Sequence, residues 1–226
     1  MSEAFYLNKL YPLQDKILQL FADNNIGHYL TGGTALSRAY LNHRYSDDLD
    51  FFLNNDPVFE KEADRAIALL QNNFQEINID NRQLGFRRIF VNENDLQLKL
   101  DFVNDVEYHL NGFEKTNLYF KTDNPLNILS NKISALNRQS AKDIADIIEI
   151  SRNYSFNWPN LIEDASKKDN WVNEIDVFTY IKTYEAEKLN SAIIWVKKPA
   201  LTSILNYIKK ICYDIVTGND NSLYKR

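Results

Sequence analysis

The 226-residue sequence predicts an α+β protein: a mixed sheet with helices, followed by a helical C-terminal domain. Three observations carry this. Strand-type segments with period-two patterning are confined to the first 120 or so residues. Beyond the turn signal Asp123-Asn124-Pro125 almost every apolar residue recurs at helical spacing. The stretch from Tyr29 to Phe52, YLTGGTALSRAYLNHRYSDDLDFF, places two glycines between a strand and a helix and then three aspartates within four residues. The expected domains are 1–122, carrying the sheet, and 123–226, helical.

The elements follow in order. Leu10, Leu13, Ile17, Leu20 and Phe21 mark an amphipathic helix over 7–23, with Pro12 near its start, where proline is tolerated. IGHYL (26–30) is a strand running into Gly32-Gly33, TALSRAYLN a helix, and DLDFFL (48–53) a strand closed by Asn54-Asn55-Asp56-Pro57. Ala63, Ala66, Ile67, Leu70 and Phe74 form a helical stripe. QEINI, FRRIFVN and LQLKLDFV read as strands, and TNLYFK as a weaker fourth. In the second domain, stripes run through Leu126, Leu129, Ile133 and Leu136, through Ala141, Ile144, Ala145 and Ile148, and from Leu201 to Ile215.

Composition excludes several classes. The formal net charge is -5, so no global basic signature points to nucleic acid. The single cysteine, Cys212, allows no intramolecular disulfide and no cysteine zinc cluster, and its place on an apolar stripe marks it as core. No signal-peptide pattern and no run of about 20 apolar residues is present, so the expectation is a cytoplasmic chain with no membrane partner. His28 reads as a strand residue and His43 and His109 as surface, with no ligand spacing among them. Gly32-Gly33 lacks the downstream Gly-Lys-Ser/Thr of a P-loop, and no nucleophile elbow is present.

The aspartates have a geometry. Side chains alternate along a strand, so Asp48 and Asp50 share one face while Leu49, Phe51 and Leu53 take the other. Asp47 has core-facing parity but can turn to solvent at the strand's mouth. In LQLKLDFV, Lys99 and Asp101 lie opposite Leu98, Leu100 and Phe102. If the two strands are neighbours, Asp101 joins Asp48 and Asp50. Three acids on one sheet face suit hard divalent cations, Mg²⁺ and two ions of it, for in-line displacement at phosphorus. Gly32, Gly33 and Thr34 open a helix whose unpaired N–H groups suit phosphate, and Ser46 either contacts phosphate or caps the turn. A tight turn, a solvated strand end and a surface carboxylate are the plainer readings of these features taken one at a time.

These residues resemble motif I of the nucleotidyltransferase superfamily with the DNA-polymerase-β-like core, and more closely the AbiEii/AbiGii toxin branch. Gly32 to Leu36 match its Gly-Gly-Thr-Ala-Leu, and Arg44 to Phe51 its Arg-x-Ser-x-Asp-Leu-Asp-Phe. Asp101 matches its third acid, Lys132 and Arg138 its helical-domain lysine motif, and Asp143 and Asp146 its Asp-x-x-Asp motif. The resemblance implies metal-dependent transfer of NMP from an NTP, with Asp48, Asp50 and Asp101 as metal ligands and Lys132 on the triphosphate. Asp143 and Asp146, which share a helix face, would position Lys132 or Arg138 or touch the nucleotide. It also implies an acceptor such as the tRNA end, and an antitoxin partner. Arg44 would brace the acids or contact substrate, and Lys99 would moderate their charge.

Arg82, Arg87 and Arg88, and Lys197, Lys198, Lys209 and Lys210 with Trp195 and Tyr207, are candidate RNA-facing surface. Two further readings stay open: transfer to a protein or small-molecule hydroxyl, such as that of an aminoglycoside, and a non-catalytic NTP- or partner-binding protein.

Overall fold

The computed structural model describes residues 2–225. The chain divides into two compact units, one ending at Asn124 and the other beginning at Pro125.

The first unit opens with α1 (Glu3–Phe5), a π-helical segment (Tyr6–Leu10) and α2 (Tyr11–Asp23), continuous in one rod. Pro12 therefore sits within the rod rather than near its start. Proline lacks an N–H and its ring crowds the carbonyl four residues back, and the wider π turn just before it relieves both demands. Next come β1 (Tyr29–Thr31), α3 (Gly32–Thr34) and a π-helical continuation (Ala35–Leu41). Asn42, in the left-handed region at φ 46°, ends that helix. Then follow β2 (Leu49–Asn54), α4 (Phe59–Asn73), β3 (Glu76–Gln83), β4 (Phe86–Glu93) and β5 (Leu96–Asp105).

The five strands form one mixed sheet in the order β1-β2-β5-β4-β3. Only β2 and β5 run parallel; the other pairs are antiparallel. Leu49, Phe51, Ile89, Val91, Leu98, Leu100 and Phe102 bury one sheet face, and Phe21 of α2 packs 5.1 Å from Phe51, ring centre to ring centre. The alternation read in the sequence is the alternation observed. TNLYFK differs: residues 116–121 form no strand, and Thr122 makes only single bridges to Leu30 and Glu114. Polar side chains decide this, since Thr116 Oγ1 accepts from the backbone N–H groups of Leu118 and Tyr119 and folds the segment on itself.

The second unit contains α5 (Pro125–Ser134), a 3₁₀ turn (Leu136–Arg138), α6 (Ala141–Asn153), α7 (Trp158–Ser166), α8 (Glu174–Lys182), α9 (Ala186–Ala192) and α10 (Leu201–Thr217). Asn157 and Asn173 cap α7 and α8, each accepting from the N–H three residues on, at 3.1 and 3.0 Å. Gly218, at φ 66°, closes α10 in the left-handed conformation that glycine adopts without penalty. The core is Ile128, Leu129, Ile133, Ile144, Ile148, Leu161, Ile204, Ile208 and Ile211 around a fully buried Trp158. Cys212 is buried on that stripe as expected, and burial pushes its thiol up to about 11, which leaves it unreactive.

Candidate active site

The site of the first unit starts at the glycine turn. Thr31 is paired with Asp50 across β1 and β2, so Gly32 leaves the sheet beside Asp50. Its φ of 71° is one that other residues avoid. A methyl group in place of its hydrogen would overlap the Asp50 carboxylate, with Cγ only 3.0 Å away. A methyl group on Gly33 would meet the Arg44 guanidinium and lie 3.2 Å from Ser46 Oγ. The two glycines therefore let backbone approach an acid on one side and a cation with a hydroxyl on the other. Arg44 is 2% exposed, a guanidinium packed beneath the turn, and donates to the Tyr45 carbonyl at 3.2 Å. Thr34 Oγ1 donates to the Asp48 carbonyl at 2.5 Å, which ties the start of the helix to the acid strand. Its hydroxyl is thus spent on structure, and its backbone remains part of the turn.

Parallel pairing of β2 with β5 puts Asp50 directly beside Asp101. Asp48 lies just before β2, level with Lys99 of β5. Lys99 Nζ is 2.7 Å from Asp48 Oδ2 and 3.4 Å from Asp101 Oδ2. Arg88, opposite Asp101 on β4, grips that carboxylate with Nε and Nη2, both at 2.8 Å. Burial alone would lower the Lys99 pKa, but the Asp48 hydrogen bond and the charges of Asp48, Asp101 and Asp50 outweigh it and raise it. The bond to Asp101 likewise raises Arg88. The structure thus brings Asp48, Asp50 and Asp101 to one face, with two protein cations among them.

The N-terminal helix braces this turn, which the sequence did not reveal. Tyr6 Oη donates to Asp47 Oδ1 at 2.6 Å, and its ring stacks on Tyr45 at 4.6 Å. Gln14 Nε2 donates to the Ser46 carbonyl at 3.3 Å, and the Ser46 N–H donates to Tyr11 Oη at 3.3 Å. Burial, then Asp47, raises the Tyr6 pKa, so Tyr6 is a neutral donor. Asp47, expected to turn to solvent, is tied down instead. The histidine expectations also change. His43 is buried, and His109 Nε2 lies 3.1 Å from the fully buried Asp123, which also accepts from Thr31 Oγ1 at 2.6 Å. These partners lie too far along the chain for local pattern to expose them.

The second unit has its own charged cluster. Lys132 Nζ lies 2.6 Å from Asp143 Oδ1 and 3.0 Å from Asp146 Oδ2, and Asp146 is fully buried. The i, i+3 spacing on α6 aims both carboxylates at one ammonium. Arg138 is exposed.

The expected arginine patch is not one surface. Arg87 is buried on the core face of β4, paired with Glu60; Arg88 is on the opposite face; Arg82 binds both oxygens of Asp64 at 2.8 Å. Lys209 and Lys210 are exposed along α10 and border a groove of about 900 Å³ with Asn206, Tyr213 and Asp220. Among the described residues no helix is long and apolar enough to cross a membrane.

The chain belongs to the AbiEii family of nucleotidyl transferase toxins, of type IV toxin–antitoxin systems, whose family model matches residues 16–194. It is therefore a nucleotidyltransferase enzyme of a toxin family that pairs with an antitoxin. No curated protein matches it. Its fold is similar to that of JHP933 from Helicobacter pylori, with a TM-score of 0.59 and 20% identity over 92% of this chain and 93% of that one. A provisionally assigned nucleotidyltransferase from H. pylori gives the same TM-score and identity over 96% of each chain.

Such folds imply a divalent cation, and the donor set can be tested against one. Among the described residues no three His, Cys, Asp or Glu side chains already converge as a cage. Asp101 has both carboxylate oxygens bonded to Arg88. Asp48 and Asp50 are hard oxygen donors of the kind Mg²⁺ takes, and the Lys99 ammonium 2.7 Å from Asp48 Oδ2 shows that the Asp48 carboxylate already holds a cation's charge. The residues fit a metal that keeps part of its shell as water and phosphate.

Proposed function

We propose that the protein transfers an NMP group from an NTP to RNA, with the tRNA acceptor end as substrate and magnesium as the ion. Transfer forms a bond between an acceptor hydroxyl oxygen and the α-phosphorus and breaks the bond from that phosphorus to pyrophosphate. Asp48 and Asp50 are the residues that would hold Mg²⁺, with Asp101 as a further ligand once Lys99 yields while Arg88 stays bonded to it; bound there, the ion would supply charge compensation at the α-phosphate and the leaving group.

The chain's own groups supply the rest. Gly32 and Gly33 admit phosphate oxygens close to backbone. Ser46 Oγ and the buried Arg44 beneath Gly33 give that place a donor and a fixed positive charge. In the second unit Asp143 and Asp146 clamp Lys132 in one orientation, a fixed ammonium of the kind that suits phosphate. The observation that carries the reading is Asp50, set against the Gly32 backbone and beside Asp101. The exposed Lys209 and Lys210 favour RNA among the acceptors, since free cations on a helix suit phosphate.

The test mixes protein, Mg²⁺ and each α-labelled NTP with total tRNA and, separately, with protein lysate. Label on tRNA that is lost in Asp48→Ala is the expected result. Label on protein alone would replace the acceptor, and no label with any NTP would overturn the reading.

A further inference from the structure

Three carboxylates gather on the sheet face, and two protein cations are already bonded to them. The two cations differ in how they are held. Arg88 makes two parallel bonds to Asp101 from a planar fork, which fixes both partners. Lys99 is a point charge on a flexible stem, with its side chain 30% exposed, and it spans Asp48 and Asp101 at 2.7 and 3.4 Å. A divalent ion bound by Asp48 would need the Oδ2 oxygen that Lys99 now holds at 2.7 Å. The ammonium and the ion therefore compete for one carboxylate.

We propose that Lys99 is a built-in counter-cation of the acid cluster, which a divalent ion must displace, so that the site takes metal together with nucleotide phosphates in preference to the free ion. The inference rests on the magnesium reading above and assigns Lys99 as a positioning residue within it. Without ligand, Lys99 neutralises acids that would otherwise repel one another across β2 and β5. A free cation gains less there than at three bare carboxylates. A metal–triphosphate complex brings its own negative charge, to which the released ammonium can turn. Arg88 stays on Asp101 and keeps the cluster from becoming a general cation trap.

The experiment measures Mn²⁺ binding by electron paramagnetic resonance, without nucleotide, in wild type and in Lys99→Met, Lys99→Gln and Lys99→Arg. Thermal unfolding with and without Mg²⁺ runs alongside. Both neutral variants are expected to bind Mn²⁺ about tenfold more tightly or better, since a like charge within 4–6 Å is worth one unit or more. They should melt lower than wild type without metal and gain more from Mg²⁺, while Lys99→Arg stays near wild type. Unchanged or weaker Mn²⁺ binding in the neutral variants overturns the role of Lys99. Asp50→Asn separates the two readings. If it loses Mn²⁺ while the Lys99 variants bind as wild type does, only the role of Lys99 falls. If it binds as well as wild type, the metal assignment falls, and the role of Lys99 with it.

Discussion

Gly32 and the Asp50 carboxylate occupy adjoining space so closely that no side chain fits between them, and Gly32 holds a φ of 71°. Gly32→Ala therefore carries two penalties, strain of about 1–2 kcal/mol and displacement of Asp50. The expected outcome is a Tm lowered by several degrees and nucleotidyl transfer reduced at least about a hundredfold, since misplacement of about 1 Å in a reacting site costs that much. Differential scanning fluorimetry and initial rates check it.

Tyr6 acts on the same turn from the far side. Tyr6→Phe keeps the ring stacked on Tyr45 but removes the hydroxyl that Asp47 accepts from. Stability should fall by about 1 kcal/mol. If this contact positions the acids, kcat falls while the KM for NTP changes little. Urea unfolding and steady-state kinetics separate the two effects.

Lys132 and Asp146 form a buried pair, with side-chain exposures of 13% and 0%. Removing one partner leaves the other uncompensated, so Lys132→Met and Asp146→Asn should each cost roughly 3 kcal/mol. The double variant should cost clearly less than the sum, as groups in direct contact do. A double-mutant cycle by denaturant unfolding measures the coupling. Asp143 retains its own bond to Lys132, which keeps the coupling below the full single-variant cost.

His28 predicts an acid limit to stability. It is fully buried, its ring nitrogens have no hydrogen-bond partner, and it packs against Phe59 and Phe102. Burial lowers its pKa from 6.5 to about 4, with smaller influences from Glu62, Lys121 and Asp56. Between those values the unfolded chain binds the proton and the folded chain does not, so stability is lost as pH falls from about 6.5 toward 4 and is unaffected above. The loss amounts to roughly 3 kcal/mol at the lower end. His28→Leu should flatten that part of the profile, measured by urea unfolding at pH 7.5 and pH 5.

How far the sequence reaches depends on the range of each contact. The face shared by Asp48 and Asp50 follows from strand alternation, and the pairing of Asp143 with Asp146 from helical spacing. That Lys132 is their shared partner could be listed among options but not chosen, because α5 and α6 meet through a turn whose angle no local rule fixes. Arg88, by composition a candidate for a basic surface, is instead bonded to Asp101. A two-residue turn at Asn94-Asp95, both at positive φ, joins β4 to β5, and counting outward from it sets Arg88 opposite Asp101. Arg87 follows from the same count, since its parity sends it to the core face. No comparable signal existed for Tyr6 or Gln14, which reach the acid turn from 41 and 32 residues away.

The most direct test of the central claim is release of pyrophosphate and incorporation of labelled NMP by Asp50→Asn, beside wild type, at saturating Mg²⁺ and with both proteins confirmed as folded by their melting profiles. Asparagine keeps the shape next to Gly32 and removes the charge. The expected result is an intact melting transition with transfer lost by about three orders of magnitude or more, as befits a group that acts on the reacting phosphate. Transfer at the wild-type rate would contradict the assignment of the sheet aspartates as the reacting centre.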